Sequence, residues 1–124
     1  NIDVVDDRGA YRGGAISPGL MLSANALFSK AAKLASIPVE APEHALGDTT
    51  ETAMQSGLVI GAAAQAEGLV SRMKAELGIE QAKVIGTGGL ARTVSRATNL
   101  FDAVDPTLTL RGIREIWLQQ HGGA

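Results

Sequence analysis

The sequence predicts a single α/β domain, and three observations lead there. Short runs at 2–5, 10–16 and 83–85, the first and last rich in Val and Ile, adjoin Gly-containing turn clusters, the mark of strands. Longer segments repeat apolar residues every three or four positions, the mark of amphipathic helices. The order of the two kinds (hairpin, helix, long helix, strand, Gly-rich turn, helix, helix) is that of an α/β fold with a mixed sheet. At 124 residues the length suits one domain with its own core.

Each element has a local reason. Ile2-Asp3-Val4-Val5 leads into the turn cluster Asp6-Asp7-Arg8-Gly9, and Ala10 to Ile16 reads as the return strand of a hairpin. Pro18-Gly19 breaks that strand. Leu20, Ala24, Leu27, Ala31 and Leu34 then fall on one helical face. A loop with Pro38 and Pro42 follows, with Val39 in a candidate short extended piece. A continuous long helix is expected over 50–77, with Asp48 and Glu51 at capping-box spacing and an apolar face of Met54, Leu58, Ala62, Ala66, Leu69, Met73 and Leu77. Gly57, Gly61 and Gly68 interrupt it, each at a cost of about 1 kcal/mol relative to Ala. Tight packing on a sheet or on a second subunit is the simplest compensation, and a ligand role is the other. Lys83-Val84-Ile85 is a short buried strand, a helix starts near Leu90, residues 101–106 connect, and Leu108, Leu110, Ile113, Ile116 and Trp117 mark a last amphipathic helix. Residues 122–124 are expected to fray. Three strands fall short of the four to six of an ordinary sheet, so further partners are expected outside these residues. Asn1 stands where a strand is already under way, which raises the expectation of a piece of a longer chain whose leader, if any, is hidden.

Composition excludes several functions. With no cysteine, disulfide scaffolds, thiolate zinc sites and cysteine nucleophiles fall away. His44 and His121 have no neighbouring metal-ligand partner in sequence. Eleven basic against 13 acidic residues give a net charge of −2, which argues against a broad nucleic-acid-binding face. No apolar run approaches the roughly 20 residues of a membrane helix. Glycine is abundant at 15, while aromatic residues are few, with one Trp, one Tyr and two Phe.

Three short motifs could carry chemistry, and each has a plain structural alternative. Gly86-Thr87-Gly88-Gly89-Leu90-Ala91 fits the G-x-G-x-x-A dinucleotide fingerprint, in which glycine backbone and a helix start face a phosphate. It lies late in the chain, and Asp102 and Asp105 follow a break rather than a clear strand. An ordinary Gly turn and a nucleotide site therefore both stand. Gly13 to Gly19 is a strand end and turn, or a place of close ligand approach. Asp48-Thr49-Thr50 is a helix cap, or a hydroxyl-bearing anion site.

The ordered set is more specific than any member. Gly13-Gly14-Ala15-Ile16-Ser17-Pro18-Gly19, Ala31-Ala32-Lys33-Leu34, Gly47-Asp48-Thr49-Thr50, Ala53-Met54-Gln55-Ser56-Gly57, Glu67-Gly68-Leu69-Val70, Thr87-Gly88-Gly89-Leu90-Ala91 and Val104-Asp105-Pro106 with Leu108-Thr109-Leu110-Arg111-Gly112 follow one another in this order. The chain thereby resembles the C-terminal half of type III pantothenate kinase. The resemblance implies that residues 1–124 form one ribonuclease-H-like domain of the acetate-and-sugar-kinase/heat-shock-protein/actin superfamily, with a second, N-terminal domain outside them. It implies ATP-dependent phosphorylation of pantothenate, the first step of coenzyme A synthesis, by a cytoplasmic homodimer joined through the long helix. It implies ATP, Mg²⁺ and a monovalent cation (K⁺ or NH₄⁺) as cofactors, and neither a nucleic-acid nor a membrane partner.

The same resemblance distributes roles. Thr50 matches the pantothenate-contacting threonine of the family's Gly-x-Asn-Thr motif, with Thr49 in place of the usual Asn. Thr87, Gly88 and Gly89 match the adenosine-side glycine motif. Gly13, Gly14, Pro18 and Gly19 match a stretch that shapes the substrate side, with Gly14 the candidate substrate neighbour. The catalytic aspartate of the family's Gly-x-Asp-Arg motif and its phosphate loop have no counterpart in these residues, so neither catalytic nor metal-holding residues are expected here and the 124 residues alone are expected to be inactive. A non-catalytic relative of the same fold is the competing reading. A dinucleotide-binding module, resting only on Gly86 to Ala91, is the third.

Overall fold

The computed structural model describes residues 1–30 and 36–122. Ala31 and Leu34 of the expected first-helix face, the Ala31–Leu34 string, and the tail residues Gly123 and Ala124 lie outside them.

The hairpin forms as expected. Strands β1 (Ile2–Val5) and β2 (Tyr11–Ala15) pair antiparallel, with Asp3 opposite Gly14 and Val4 opposite Gly13. The register slips between Val4 and Val5, because Val5 pairs with Tyr11 and leaves Arg12 as the extra residue of a bulge. Asp6 organises the turn. Its backbone N–H donates to the Ala10 carbonyl at 2.9 Å, and its carboxylate accepts from the N–H groups of Ala10 (2.9 Å) and Arg8 (3.0 Å). These bonds, Ala10 first, hold the Asp6 carboxyl below its ordinary value, and Arg12 adds to the effect.

Helix α1 (Leu20–Lys30) turns Leu20, Ala24 and Leu27 inward, as its period requires. Ala24 is fully buried beside Leu58 and Val59, with Leu20, Leu27, Phe28, Val39, Ala41 and Ala97 packed around them. This small cluster is the heart of the described core.

The long helix is not continuous. It comprises α2 (Thr50–Gln55), a π-helical turn (Ser56–Ile60) and α3 (Gly61–Leu77). The wide turn inserts a residue into the helical repeat, so the buried line runs Met54, Leu58, Val59, Ala63 instead of Met54, Leu58, Ala62. Leu77, at the far end of the expected face, is exposed. The start is capped by Thr49 and Thr52, which exchange backbone–side-chain bonds as a capping box. That corrects the expected Asp48–Glu51 pair. Asp48 accepts instead from the Thr52 hydroxyl at 3.2 Å. The loop before the helix is tied to it by Gln55 Nε2 donating to the Pro38 carbonyl (3.2 Å) and Ser56 Oγ donating to the Ala45 carbonyl. Gly78 ends α3 in the left-handed conformation, φ 66°.

Strands β3 (Ile85–Gly86) and β4 (Ala103–Val104) pair in parallel, with α4 (Ala91–Ser95) between them in sequence. The expected buried strand at 83–85 is thus displaced by two residues, and Ile85 is exposed. The single mixed sheet is also corrected. Among the described residues there are two separate two-stranded sheets, one antiparallel and one parallel. Helix α5 (Leu108–His121) is amphipathic, as its spacing demands, yet none of its residues is buried.

Candidate functional site

A groove of about 580 Å³ runs between α1 and the start of the long helix, lined by Ser23, Leu27, Thr50, Ala53, Met54, Gly57 and Leu58. A smaller recess of about 250 Å³ adjoins it, sharing Ser23, Gly57 and Leu58 and reaching Pro18, Gly61 and Gln65. The groove is an apolar trough with two hydroxyls. Nearby Ser29, Thr49, Thr52 and Ser56 all bond to backbone, whereas among the described residues the hydroxyls of Ser23 and Thr50 engage no partner. Both remain able to donate and to accept. Gly57 sits in the π-helical turn with no atom near where a Cβ would point, which keeps that wall low.

Of the sequence-derived site residues, only Thr50 lines this groove. Pro18 reaches the adjoining recess. Gly14 lies in β2, where its role is steric: a Cβ there would collide with the Ile2 carbonyl of β1. Ser23 was not singled out from sequence, although the period that puts Leu27 inward also puts Ser23, one turn earlier, on the same side. Among the described residues the three helix glycines meet no tightly packed neighbour. Gly57 and Gly68 face open space, and Gly61 meets only the Ser56 carbonyl at 3.9 Å. The sheet-packing half of that expectation is therefore not met.

The second cluster is the turn Thr87-Gly88-Gly89 between β3 and α4. Gly88 has φ 91° and Gly89 faces open space, so the backbone here is accessible to a flat ligand. Gly86, just before, packs against the Phe101 ring. Asp105 follows β4 directly, rather than a break, at the position where a dinucleotide fold carries its ribose ligand. Its carboxylate is taken up otherwise. It accepts from the Thr107 N–H and hydroxyl, both at 2.9 Å, and pairs with Arg111. Those bonds, Thr107 first, hold it below the ordinary carboxyl value. Asp102 is engaged as well, accepting from the Val84 N–H at 2.8 Å and from Lys83 Nζ at 2.9 Å. Its carboxyl is lowered, mainly by the Val84 bond, and the Lys83 ammonium is raised by the same pair. Asp102 thus fastens the segment before β4 to the segment before β3, while Asp105 fastens the start of α5 to the end of β4. Among the described residues no three His, Asp or Glu side chains come together as a cation site, and no helix is long and apolar enough to cross a membrane.

A family model for type III pantothenate kinase matches residues 1–72. The chain belongs to the type III pantothenate kinase family. The type III pantothenate kinase of Agathobacter rectalis is 44% identical over 119 residues, covering 96% of this chain and 46% of that protein. The chain thus spans about half the length of the curated relative it matches. The family match contains the hairpin, α1 and the long helix to Arg72, and so includes Gly14, Thr50 and the groove. The turn at Thr87–Gly89 falls beyond it, within reach of the pairwise match alone.

Proposed function

We propose that this chain is one ribonuclease-H-like domain of an enzyme that transfers a phosphoryl group from ATP to pantothenate, opening coenzyme A synthesis. Membership of the type III pantothenate kinase family, over the segment that builds the groove, is the observation that carries the reading. In it, pantothenate lies along the groove. Leu27, Ala53, Met54 and Leu58 offer apolar walls to its dimethyl carbon, and the Thr50 hydroxyl meets one of its polar atoms. Gly14 acts at one remove, because its missing side chain lets β1 and β2 close and so sets the strand that leads to Pro18. The turn Thr87-Gly88-Gly89 takes the adenosine side of ATP, its backbone open to the face of a base. ATP supplies the phosphoryl group. Phosphoryl transfer is chiefly positioning and electrostatic stabilisation, and these residues supply positioning. Neither a general base nor a ligand set for Mg²⁺ or a monovalent cation is assigned to them. The exposed line of Gly57, Gly61 and Gly68 is the proposed contact with a second subunit, and the cytoplasm is the proposed compartment.

The test joins these 124 residues to the half of the A. rectalis kinase that they do not match, and follows label from γ-³²P-ATP into 4′-phosphopantothenate. Transfer by the joined chain and none by the 124 residues alone is the expected result. Failure of a folded joined chain to label pantothenate, while it labels another alcohol, would refute the substrate assignment. Turnover by the 124 residues alone would refute the division of labour.

A further inference from the structure

The two proposed ligand contacts lie on different stretches of chain. The groove is built by α1 and the first turns of the long helix. The turn Thr87-Gly88-Gly89 belongs to the β3–α4–β4 unit. Phosphoryl transfer needs its reacting atoms in line, so the placing of one unit against the other bears directly on the reaction. Two features join the β3–α4–β4 unit to the long helix. Ala97, just past α4, packs among Ala24, Leu58 and Val59. Apolar contact of this kind is non-directional and does not fix an orientation. The second feature is directional. The Thr98 hydroxyl donates to the Glu67 carboxylate, which stands 31 residues earlier, on α3. Among the described residues this is the one side-chain hydrogen bond between α3 and residues 83–122.

Thr98 carries the constraint onward. Its hydroxyl oxygen also accepts from the Leu100 N–H at 3.0 Å, which fixes the turn over 98–100. The next residue is Phe101, whose ring lies so close to Gly86 that a Cβ there would stand 3.2 Å from it. Gly86 ends β3 and immediately precedes Thr87. Glu67 thus reaches the nucleotide turn from both sides. One route is the end of α4, which follows the turn. The other is the Phe101 ring, which backs the strand that enters it. Helix spacing gives Glu67 no charge partner of its own, since Ala63, Ala64, Val70 and Ser71 occupy the positions three and four residues away. The side chain is exposed, and an exposed contact of this kind adds little to stability. What it supplies is direction.

We propose that Glu67 is a positioning residue for the nucleotide: through Thr98 it fixes where the turn Thr87-Gly88-Gly89 stands relative to the long helix that walls the groove. The inference rests on the reading of that turn as the adenosine side of ATP.

Steady-state kinetics of the joined chain test it, with kcat and the KM for each substrate read separately. Glu67→Ala and Thr98→Val should each raise KM for ATP about fivefold and leave KM for pantothenate within about twofold, the scale of residues that act through intervening contacts. Glu67→Gln keeps an accepting oxygen and Thr98→Ser keeps a hydroxyl, so both should stay close to the parent KM for ATP. The double variant Glu67→Ala/Thr98→Val should be no worse than Thr98→Val alone, because the two changes remove one bond. Tm of Glu67→Ala should move by no more than about 2 °C, which separates lost positioning from lost fold. An unchanged KM for ATP in Glu67→Ala overturns the proposal. So does an equal rise in both KM values, the mark of general loosening. Additive effects in the double variant also overturn it, since they would part Glu67 from Thr98. Gly89→Leu scores the underlying reading, because its side chain would enter open space beside the turn. A raised KM for ATP in Gly89→Leu with none in Glu67→Ala removes this inference and keeps the turn as the ATP side. No change in Gly89→Leu removes ATP from the turn, and this inference with it.

Discussion

Replacing Gly68 by Ala should make this chain more stable. Glycine within a helix is unfavourable relative to Ala by about 0.8–1.0 kcal/mol, because its backbone loses more freedom on folding. A native site repays that only when a Cβ would strike something. At Gly68 no atom lies within 4 Å of a Cβ, and the residue is exposed in the middle of α3. No clash term opposes the gain, so Gly68→Ala should contribute about 1 kcal/mol. For a domain of this size that raises Tm by about 3–6 °C. Gly61 has only the Ser56 carbonyl at 3.9 Å, ordinary van der Waals distance, and Gly61→Ala should gain slightly less. The assay is thermal unfolding by circular dichroism at several protein concentrations, with sedimentation velocity alongside. An unchanged or lower Tm for Gly68→Ala in dilute, monomeric protein would refute the reasoning. A gain in dilute protein, with loss of self-association in the concentrated joined chain, is the signature expected of the proposed subunit contact at these glycines.

Thr50→Val in the joined kinase should raise KM for pantothenate about tenfold, the worth of one hydrogen bond of 1–1.5 kcal/mol, with Tm unmoved; an unchanged KM removes the hydroxyl from the site. Thr49→Ala, which deletes the accepting oxygen of the capping box, should destabilise by about 1 kcal/mol in urea unfolding. Gly86→Val should cost about 1–3 kcal/mol, because even the first carbon of a side chain would stand 3.2 Å from the Phe101 ring; a neutral result would show that ring free to move. The Asp102 and Asp105 carboxyls are lowered, so the stability they add is complete above their unfolded value of about 3.9 and fades as pH falls through the lower folded values. The raised Lys83 ammonium acts in the opposite sense, its contribution being full below about 10.4 and lost as pH climbs past the folded value. Amide exchange at Val84 followed from pH 7 to 2 should show opening only below about pH 4, and Asp102→Asn should abolish that step.

Much was legible in the sequence because it is local. The hairpin follows from the turn cluster Asp6–Gly9 between two short extended runs, α1 from its Leu20–Ala24–Leu27 period, and the end of α3 from the last member of the apolar face at Leu77. The family followed from ordered short strings, which record backbone and ligand demands position by position. Thr50 was singled out that way, and the structure places it on the wall of the groove. Ser23 was missed because a lone serine on a helix carries no signal until the facing helix is known. The capping pair was misassigned because Asp48, Thr49 and Thr50 are all competent caps, and only the path of the preceding loop selects Thr49.

By itself the sequence determined the elements, the absence of cysteine chemistry and the family, since these depend on neighbours along the chain. Tertiary structure decided the rest. It placed a π-helical turn at Ser56–Ile60, which moves burial to Val59 and Ala63 so that the helix can meet Ala24. It split the expected mixed sheet into two pairs. It left the α5 stripe uncovered. A helical period specifies that a face is apolar, while only packing against a partner determines which residues of that face are buried, and by what.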